Sequence, residues 1–479
     1  MKSMALTREQ VEAVYDQGKE AMVALILGLA EQVVALQEEN AALKARLGKD
    51  SSNSHRPPSS DGMRRRTVSN REASGRTKGG QVGHKGSTLM QTAEADLVMV
   101  HRPAQCSGCK AALAELDGEV TERRQVWDLP PLRLMVTEHQ RHSVKCPDCG
   151  IENRGTFPAN VTQPSQYGDG VKGLLVYLQN QHYLPCDRGA ELIGDLFGRA
   201  PSAGTLVNVQ TDCATRLASV VQAIKAALGR AAVIGCDETS LRVGKKSHWL
   251  HSASTSSATY YATHDKRGRV AMDAIGLLPS FGGTLVHDAL ASYFHYGQRH
   301  GLCNAHLLRE LKAIIQQTEQ DWAVQMRALL CEVKRAVDDA RAQGQSELSP
   351  ETLAAFSKRY GVVIAAGHEA NPLPVQTKSR GRLKRTPAGN LLERMDKHRD
   401  AVLLFMHDFQ VPFDNNLSER DLRMMKVKLK VSGCFRSVQG AEDFCTIRSY
   451  ISTLRKQGIP VLDALTSVFR GTPVVPALG

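Results

Sequence analysis

Between Phe413 and Ser437 the chain reads FDNNLSERDLRMMKVKLKVSGCFRS, and Glu419 stands there among Arg420, Arg423, Lys426, Lys428, Lys430 and Arg436. Asp414, Asn415 and Asn416 are good helix N-cap residues, and no Pro or Gly follows until Gly433, so the stretch is expected to be helical. On that helix Asn415, Asn416 and Arg423 share a face with Glu419. Two readings follow: a solvated helix with a Glu419–Arg423 pair, or an acid in a cationic surround that serves metal-assisted phosphoryl transfer on nucleic acid. Two earlier segments bear on the choice. AAVIGCDETSLRV reads as a buried strand running into Asp237 and Glu238, and GTLVHDALASYF as an apolar strand ending at His287 and Asp288. Alternation along a strand sends Glu238 to the face opposite Asp237, so Asp237 ranks first. Asp237, Asp288 and Glu419, two from strands and one from a helix, can hold two Mg²⁺ ions roughly 4 Å apart, with Mn²⁺ as the substitute. The competing reading makes each Asp a turn cap at a strand end.

A second constellation is Cys106-Ser-Gly-Cys109 and Cys146-Pro-Asp-Cys149. Two Cys-x-x-Cys turns supply four thiolates to a tetrahedral structural Zn²⁺, against a reading as buried or redox thiols. The intervening TERRQVWDLPPLRLMVTEHQRHSVK alternates like strands that would bring the two turns together.

These residues need elements to position them. The 479-residue chain implies several domains, and a net charge of +12 favours a polyanionic partner. The start, MKSMALTREQ, has no signal-like apolar region, and AMVALILGLA is short for a membrane span. A cytoplasmic protein with no membrane partner is the expectation. Residues 19–47 keep a heptad: Met22, Leu29, Leu36 and Leu43 take one seam position, and Ile26, Val33, Asn40 and Leu47 the other. This predicts a coiled coil over 1–50 through which the chain forms a homo-oligomer, with an amphipathic helix on its own chain as the alternative. Residues 51–92 turn Ser-, Pro-, Gly- and Arg-rich, a basic disordered linker in which Arg64, Arg65 and Arg66 are candidate phosphate contacts. A zinc-binding domain is expected over 93–165. Residues 166–228 read as a helical, helix-turn-helix-like DNA-binding domain or a linking bundle.

The order strand–Asp237-Glu-Thr, strand–Asp288, then NNLSERDLR and KVSGCFRS resembles the transposases of the insertion sequence 66 family. KDSSNSHRPPSSDG, GGQVGHKGSTL, the double Cys-x-x-Cys and Cys303-Asn-Ala-His306 followed by LLREL fit the same resemblance. Two residues depart from the pattern: Cys434, where Gly is commoner, and Asn304, where an aromatic is commoner. The resemblance implies a multidomain α+β protein whose RNase H-like catalytic domain, 229–437, carries an Asp237-Asp288-Glu419 triad. It also implies a helical insertion over about 307–405, followed by a C-terminal helical tail over 438–479. Within the insertion QTKSRGRLKRTP is a basic loop, with Arg380, Arg382, Lys384 and Arg385 expected to face DNA. Cys303 and His306 are expected to be positional or DNA-contacting, and Asn415 and Asn416 positional. Two ligands alone cannot fill a zinc sphere, so Cys303 and His306 are not expected to form a second zinc site. The implied partners are the terminal inverted repeats and target DNA, together with accessory proteins of the same element. The rival functions are a non-catalytic zinc-containing DNA-binding regulator and a nuclease of the same fold that does not join strands.

Overall fold

A computed structural model describes residues 8–47, 53, 83, 88–373 and 385–478. The chain splits into two compact units: one of Met1–Asn70, Gln163–Ala190 and Ser202–Gly479, the other of Arg71–Thr162 with Glu191–Pro201. Arg64, Arg65, Arg66, Arg380, Arg382 and Lys384 lie outside the described residues.

In the larger unit α1 (Arg8–Tyr15) precedes the long α2 (Lys19–Leu47). The apolar seam of α2, including Ile26, Leu29, Val33, Leu36, Leu43 and Leu47, is exposed. Its apolar window is longer than the ten-residue run read from sequence: Lys19–Gln37, 19 residues, is long and apolar enough to cross a bilayer by length and composition. The chain then forms α3 (Asp169–Asn180), α4 (Cys186–Phe197) and α5 (Ala203–Arg230). A five-stranded sheet follows, from β3 (Val233–Val243), β4 (Lys246–Ser254), β5 (Thr259–His264), β6 (Thr284–His287) and β7 (Arg299–Leu302), with α6 (Arg269–Ile275) between β5 and β6. Its order is β5-β4-β3-β6-β7. The β3–β4 and β4–β5 pairs are antiparallel; β6 and β7 continue the sheet parallel to β3.

Among the described residues, five helices come between the sheet and Glu419: α7 (Asn304–Thr318), α8 (Asp321–Ala342), α9 (Pro350–Ala370), α10 (Pro387–Lys397) and α11 (Arg399–His407). Their core, with Trp322, Met326, Leu330, Tyr360 and Leu392, is continuous with Val286 and Leu302 of the sheet. Thus a long helical stretch packs as one body with the sheet it follows. The chain returns through α12 (Asn416–Ser432), α13 (Val438–Lys456) and α14 (Val461–Phe469).

Two expected boundaries need correction. The helices at 166–228 do not stand as a module of their own, because α5 buries Leu206, Leu217 and Ile224 and packs on α13 and β5. Nor is 438–479 a tail. Ile447, Tyr450, Ile451 and Leu454 of α13 are fully buried. Its hydroxyls also satisfy the outer edge of β5: Tyr261 N donates to Ser449 Oγ at 2.9 Å and Thr259 N to Thr453 Oγ1 at 3.1 Å. A covering helix of this kind removes an edge that would otherwise pair with another chain.

In the smaller unit residues 88–162 are nearly all exposed. Its described strands are β1 (Ser143–Lys145) and β2 (Glu152–Arg154), paired antiparallel. The strands expected between the two cysteine turns do not form over 113–142. Pro130 and Pro131 remove two ladder donors there. Pairing is instead carried by side chains: Gln125 Oε1 accepts from Thr92 N and its Nε2 donates to Thr92 O, each at 2.8 Å.

Candidate functional site

Alternation in β3 buries Ile234, Cys236 and Glu238 on one face and turns Gly235 and Asp237 to the other. The first turn of α12 lies against that second face. A Cβ on Gly235 would sit 2.5 Å from both Asn415 Oδ1 and Ser418 Oγ, so only glycine admits the helix this closely. Asn415 Nδ2 donates to Cys236 O at 2.8 Å, and Asn415 N donates to Cys303 Sγ at 3.1 Å. One residue thereby pins the helix start to β3 and to the β7–α7 junction, with Glu419 one turn further on. Asn416 is exposed, its amide bonded to Asp414 Oδ1 at 3.0 Å.

Asp288 follows directly on β6, the parallel neighbour of β3, where Gly235 pairs with Val286. Its Oδ1 accepts from Leu290 N at 3.1 Å, and Ala289 between them sits at φ 70°, a left-handed conformation costly for a residue with a Cβ.

Electrostatics separate Asp237 from Glu238. Burial, followed by repulsion from Glu238, Asp288 and Glu419, holds the Asp237 carboxyl well above the usual range, against one amide bond from Glu238 N. Glu238 is raised as well, by burial and by Asp288, yet it has dedicated partners. Arg267 Nη2 and Nε reach its Oε1 at 2.7 and 2.8 Å, and Tyr293 Oη donates to its Oε2 at 2.6 Å. Glu238 is therefore tied up in the wall, and its tyrosine partner comes from the segment just after Asp288.

Glu419 is gripped from α7. Arg309 Nη2 lies 3.1 and 3.3 Å from its two oxygens, and His306 Nδ1 is 3.5 Å from Oε1. The cation beside Glu419, Arg309, thus comes from another helix; Arg423 of its own helix is exposed. Sequence reasoning missed Arg309, although its signal was present: Cys303, His306 and Arg309 recur every three residues on one helical face. Among the described residues, Cys303, His306 and Glu419 are the one group of three or more candidate metal ligands whose atoms all lie within 4.8 Å of one another. Glu419 thus stands as a candidate third ligand beside Cys303 and His306. Burial pushes the Cys303 thiol up to about 12.

Asp421 is a second residue the sequence left unremarked. It accepts from Ser254 Oγ at 2.7 Å, Thr259 Oγ1 at 3.0 Å and Lys456 Nζ at 2.7 Å, which locks α12 to β4, β5 and α13.

Of the expected DNA-contacting cations, Arg420, Arg423, Lys430 and Arg436 are exposed and Lys426 is half-buried. Lys428 is a correction. It is buried, its Nζ donates to Gly433 O at 2.9 Å and lies 3.8 Å from the Phe435 ring centre, and burial lowers its pKa to about 8. It caps the helix end. Arg385 is paired with Glu393.

In the smaller unit the two cysteine turns are copies of each other. Lys110 N bonds Cys106 O at 3.1 Å and Gly150 N bonds Cys146 O at 2.9 Å, with Lys110 and Gly150 left-handed at φ 62° and 71°. Amides of Cys109 and Gly108 lower the Cys106 pKa, and those of Cys149 and Asp148 lower that of Cys146. Turns that favour the thiolate fit a zinc ion, which binds the deprotonated sulfur. No three of the four thiols lie within 4.8 Å of one another.

Residues 164–443 match the model of the Transposase IS66 family, and 103–150 that of the zinc-finger binding domain of transposase IS66. Residues 7–90 match a family of unknown function (DUF6444). The uncharacterized protein y4hP of Sinorhizobium fredii is 23% identical over 413 residues, covering 76% of this chain and 70% of its own length.

Proposed function

The chain belongs to the IS66 transposase family, with a zinc-finger domain, and from that premise we propose that it cuts and joins DNA at Asp237, Asp288 and Glu419. The observation that carries the reading is Asp237: its carboxyl, lacking a cationic partner such as Arg267 is for Glu238, feels the charges of Asp288 and Glu419 across adjoining strands and the docked helix. The sheet, three antiparallel strands extended by two parallel ones, supports the reading of an RNase H-like domain, with α7–α11 as its insertion.

The three carboxylates offer only oxygen donors and an excess of negative charge at a half-buried position, which suits Mg²⁺ or Mn²⁺. Asp237, Asp288 and Glu419 would hold two such ions, whose chemistry is to activate an attacking water or 3′-hydroxyl and stabilise the leaving oxygen. The protein's own residues do the positioning. Asn415 and Gly235 fix the height of α12 over β3, Arg309 orients Glu419, and Glu238 with Tyr293 steadies the segment after Asp288. Arg420, Arg423, Lys426, Lys430 and Arg436 present a basic track for the phosphate backbone, supporting DNA ends and target as partners. The exposed seam of α2 supports pairing of two protomers as a coiled coil, which would hold two ends together.

The test is incubation of the full chain with Mg²⁺ and labelled terminal-repeat DNA. Joined product is expected. Cutting without joining would indicate the nuclease, and binding alone the regulator.

A further inference from the structure

We infer that Cys303, His306 and Glu419 form a binding site for Zn²⁺, separate from the finger, and that filling it withdraws Glu419 from the oxygen-only set. The withdrawal rests on the reading of Glu419 as the third catalytic carboxylate; the site itself does not. Cys303 ends β7's connection and caps α7, and His306 lies in the first turn, so the two ligands come preassembled on one rigid element. Glu419 is delivered from α12 by the contact of Asn415 with Cys303.

The distances suit the ion. Zn–N and Zn–O bonds of about 2.0–2.1 Å at the tetrahedral angle place two ligand atoms about 3.3 Å apart. His306 Nδ1 and Glu419 Oε1 are separated by 3.5 Å. An amide already points at the sulfur, from Asn415 N at 3.1 Å, which stabilises a metal-bound thiolate. Arg309 reaches both oxygens of Glu419, so it can keep Oε2 while Oε1 goes to a metal. Three protein ligands leave one position for water.

Ligand softness decides which ion. A thiolate and an imidazole select Zn²⁺, and Mg²⁺ demands oxygen. The two ions would therefore compete for one carboxylate. On binding, Zn²⁺ displaces the Cys303 thiol proton to solvent, and the site carries no other covalent change.

The test uses the full chain isolated with zinc in its finger, titrated with Co²⁺ and followed by visible absorption. One further equivalent with a thiolate-to-cobalt charge-transfer band is expected. It should be lost in Cys303→Ser and in His306→Ala and kept in Cys434→Ser, an exposed thiol, with circular dichroism confirming each fold. If Cys303→Ser misfolds, His306→Ala decides. Absence of the further equivalent, or its survival in the folded His306 variant, overturns the site. Added Zn²⁺ is expected to suppress Mg²⁺-dependent cleavage by the wild type. Cobalt binding without such suppression in an active enzyme overturns the withdrawal of Glu419. Cobalt binding in a protein that never cleaves overturns the proposed function and leaves the site standing.

Discussion

The finger at 103–150 and the carboxylate site on β3, β6 and α12 are built on opposite plans. In the finger each half is local: six residues make a turn, two amides lower a thiol, and almost nothing around it is buried. Asp237, Asp288 and Glu419 are far apart in sequence, and the fold of strands and helices brings Asp288 and Glu419 near enough to raise the Asp237 carboxyl. A site of the first kind depends on its ion for its fold, because structural zinc contributes most of the folding free energy of such modules. A site of the second kind is held by protein contacts alone, and ions bound there would add chemistry to a frame that already stands.

The sharpest way to break that contrast is to remove one finger ligand. Cys146→Ser is expected to unfold the finger, where zinc supplies about 10–16 kcal/mol, while hydrogen exchange in β3–β7 stays unchanged. Loss of protection in both regions would show that they are not independent. Asp421→Ala tests the second plan directly. Leaving Lys456 without its carboxylate partner should cost about 3 kcal/mol in a denaturant melt. Gly235→Ala should cost about 2 kcal/mol through overpacking against Asn415 and Ser418. Acid should act on the same frame. Burial depresses His287 to about 3 and His251 to about 4. Both are neutral when folded, so their contribution is complete above the unfolded value near 6.5 and is lost as pH falls from 6.5 toward those folded values. Melting temperature measured from pH 7.5 down to 4.5 should drop through that window. The smallest effect belongs to Ala289. Ala289→Gly relieves a left-handed alanine and should gain about 1 kcal/mol.

The same contrast explains what was legible in the sequence. The cysteine turns were legible because their chemistry is local, and the start of α12 because Asn415, Asn416 and Gly433 mark its ends. The faces of Asp237 and Glu238 follow from strand alternation alone. Arg309 was not legible as the partner of Glu419, since 110 residues separate them. For Arg423, helical spacing suggested a pairing that the docked α7 pre-empts. Lys428 looked like its basic neighbours until Gly433 and Phe435 closed over it. The burial of α13 was hidden because its Ser449 and Thr453 read as polar, yet they face the edge of β5.

The central claim, that Asp237, Asp288 and Glu419 act as one site, is tested most directly by Mg²⁺-dependent cleavage of labelled terminal DNA. Wild type is compared with Asp237→Asn, Asp288→Asn and Glu419→Gln, and DNA binding is measured on the same samples. The expected result is that each variant still binds DNA and none cleaves it. Cleavage that persists in any one folded variant would contradict the claim.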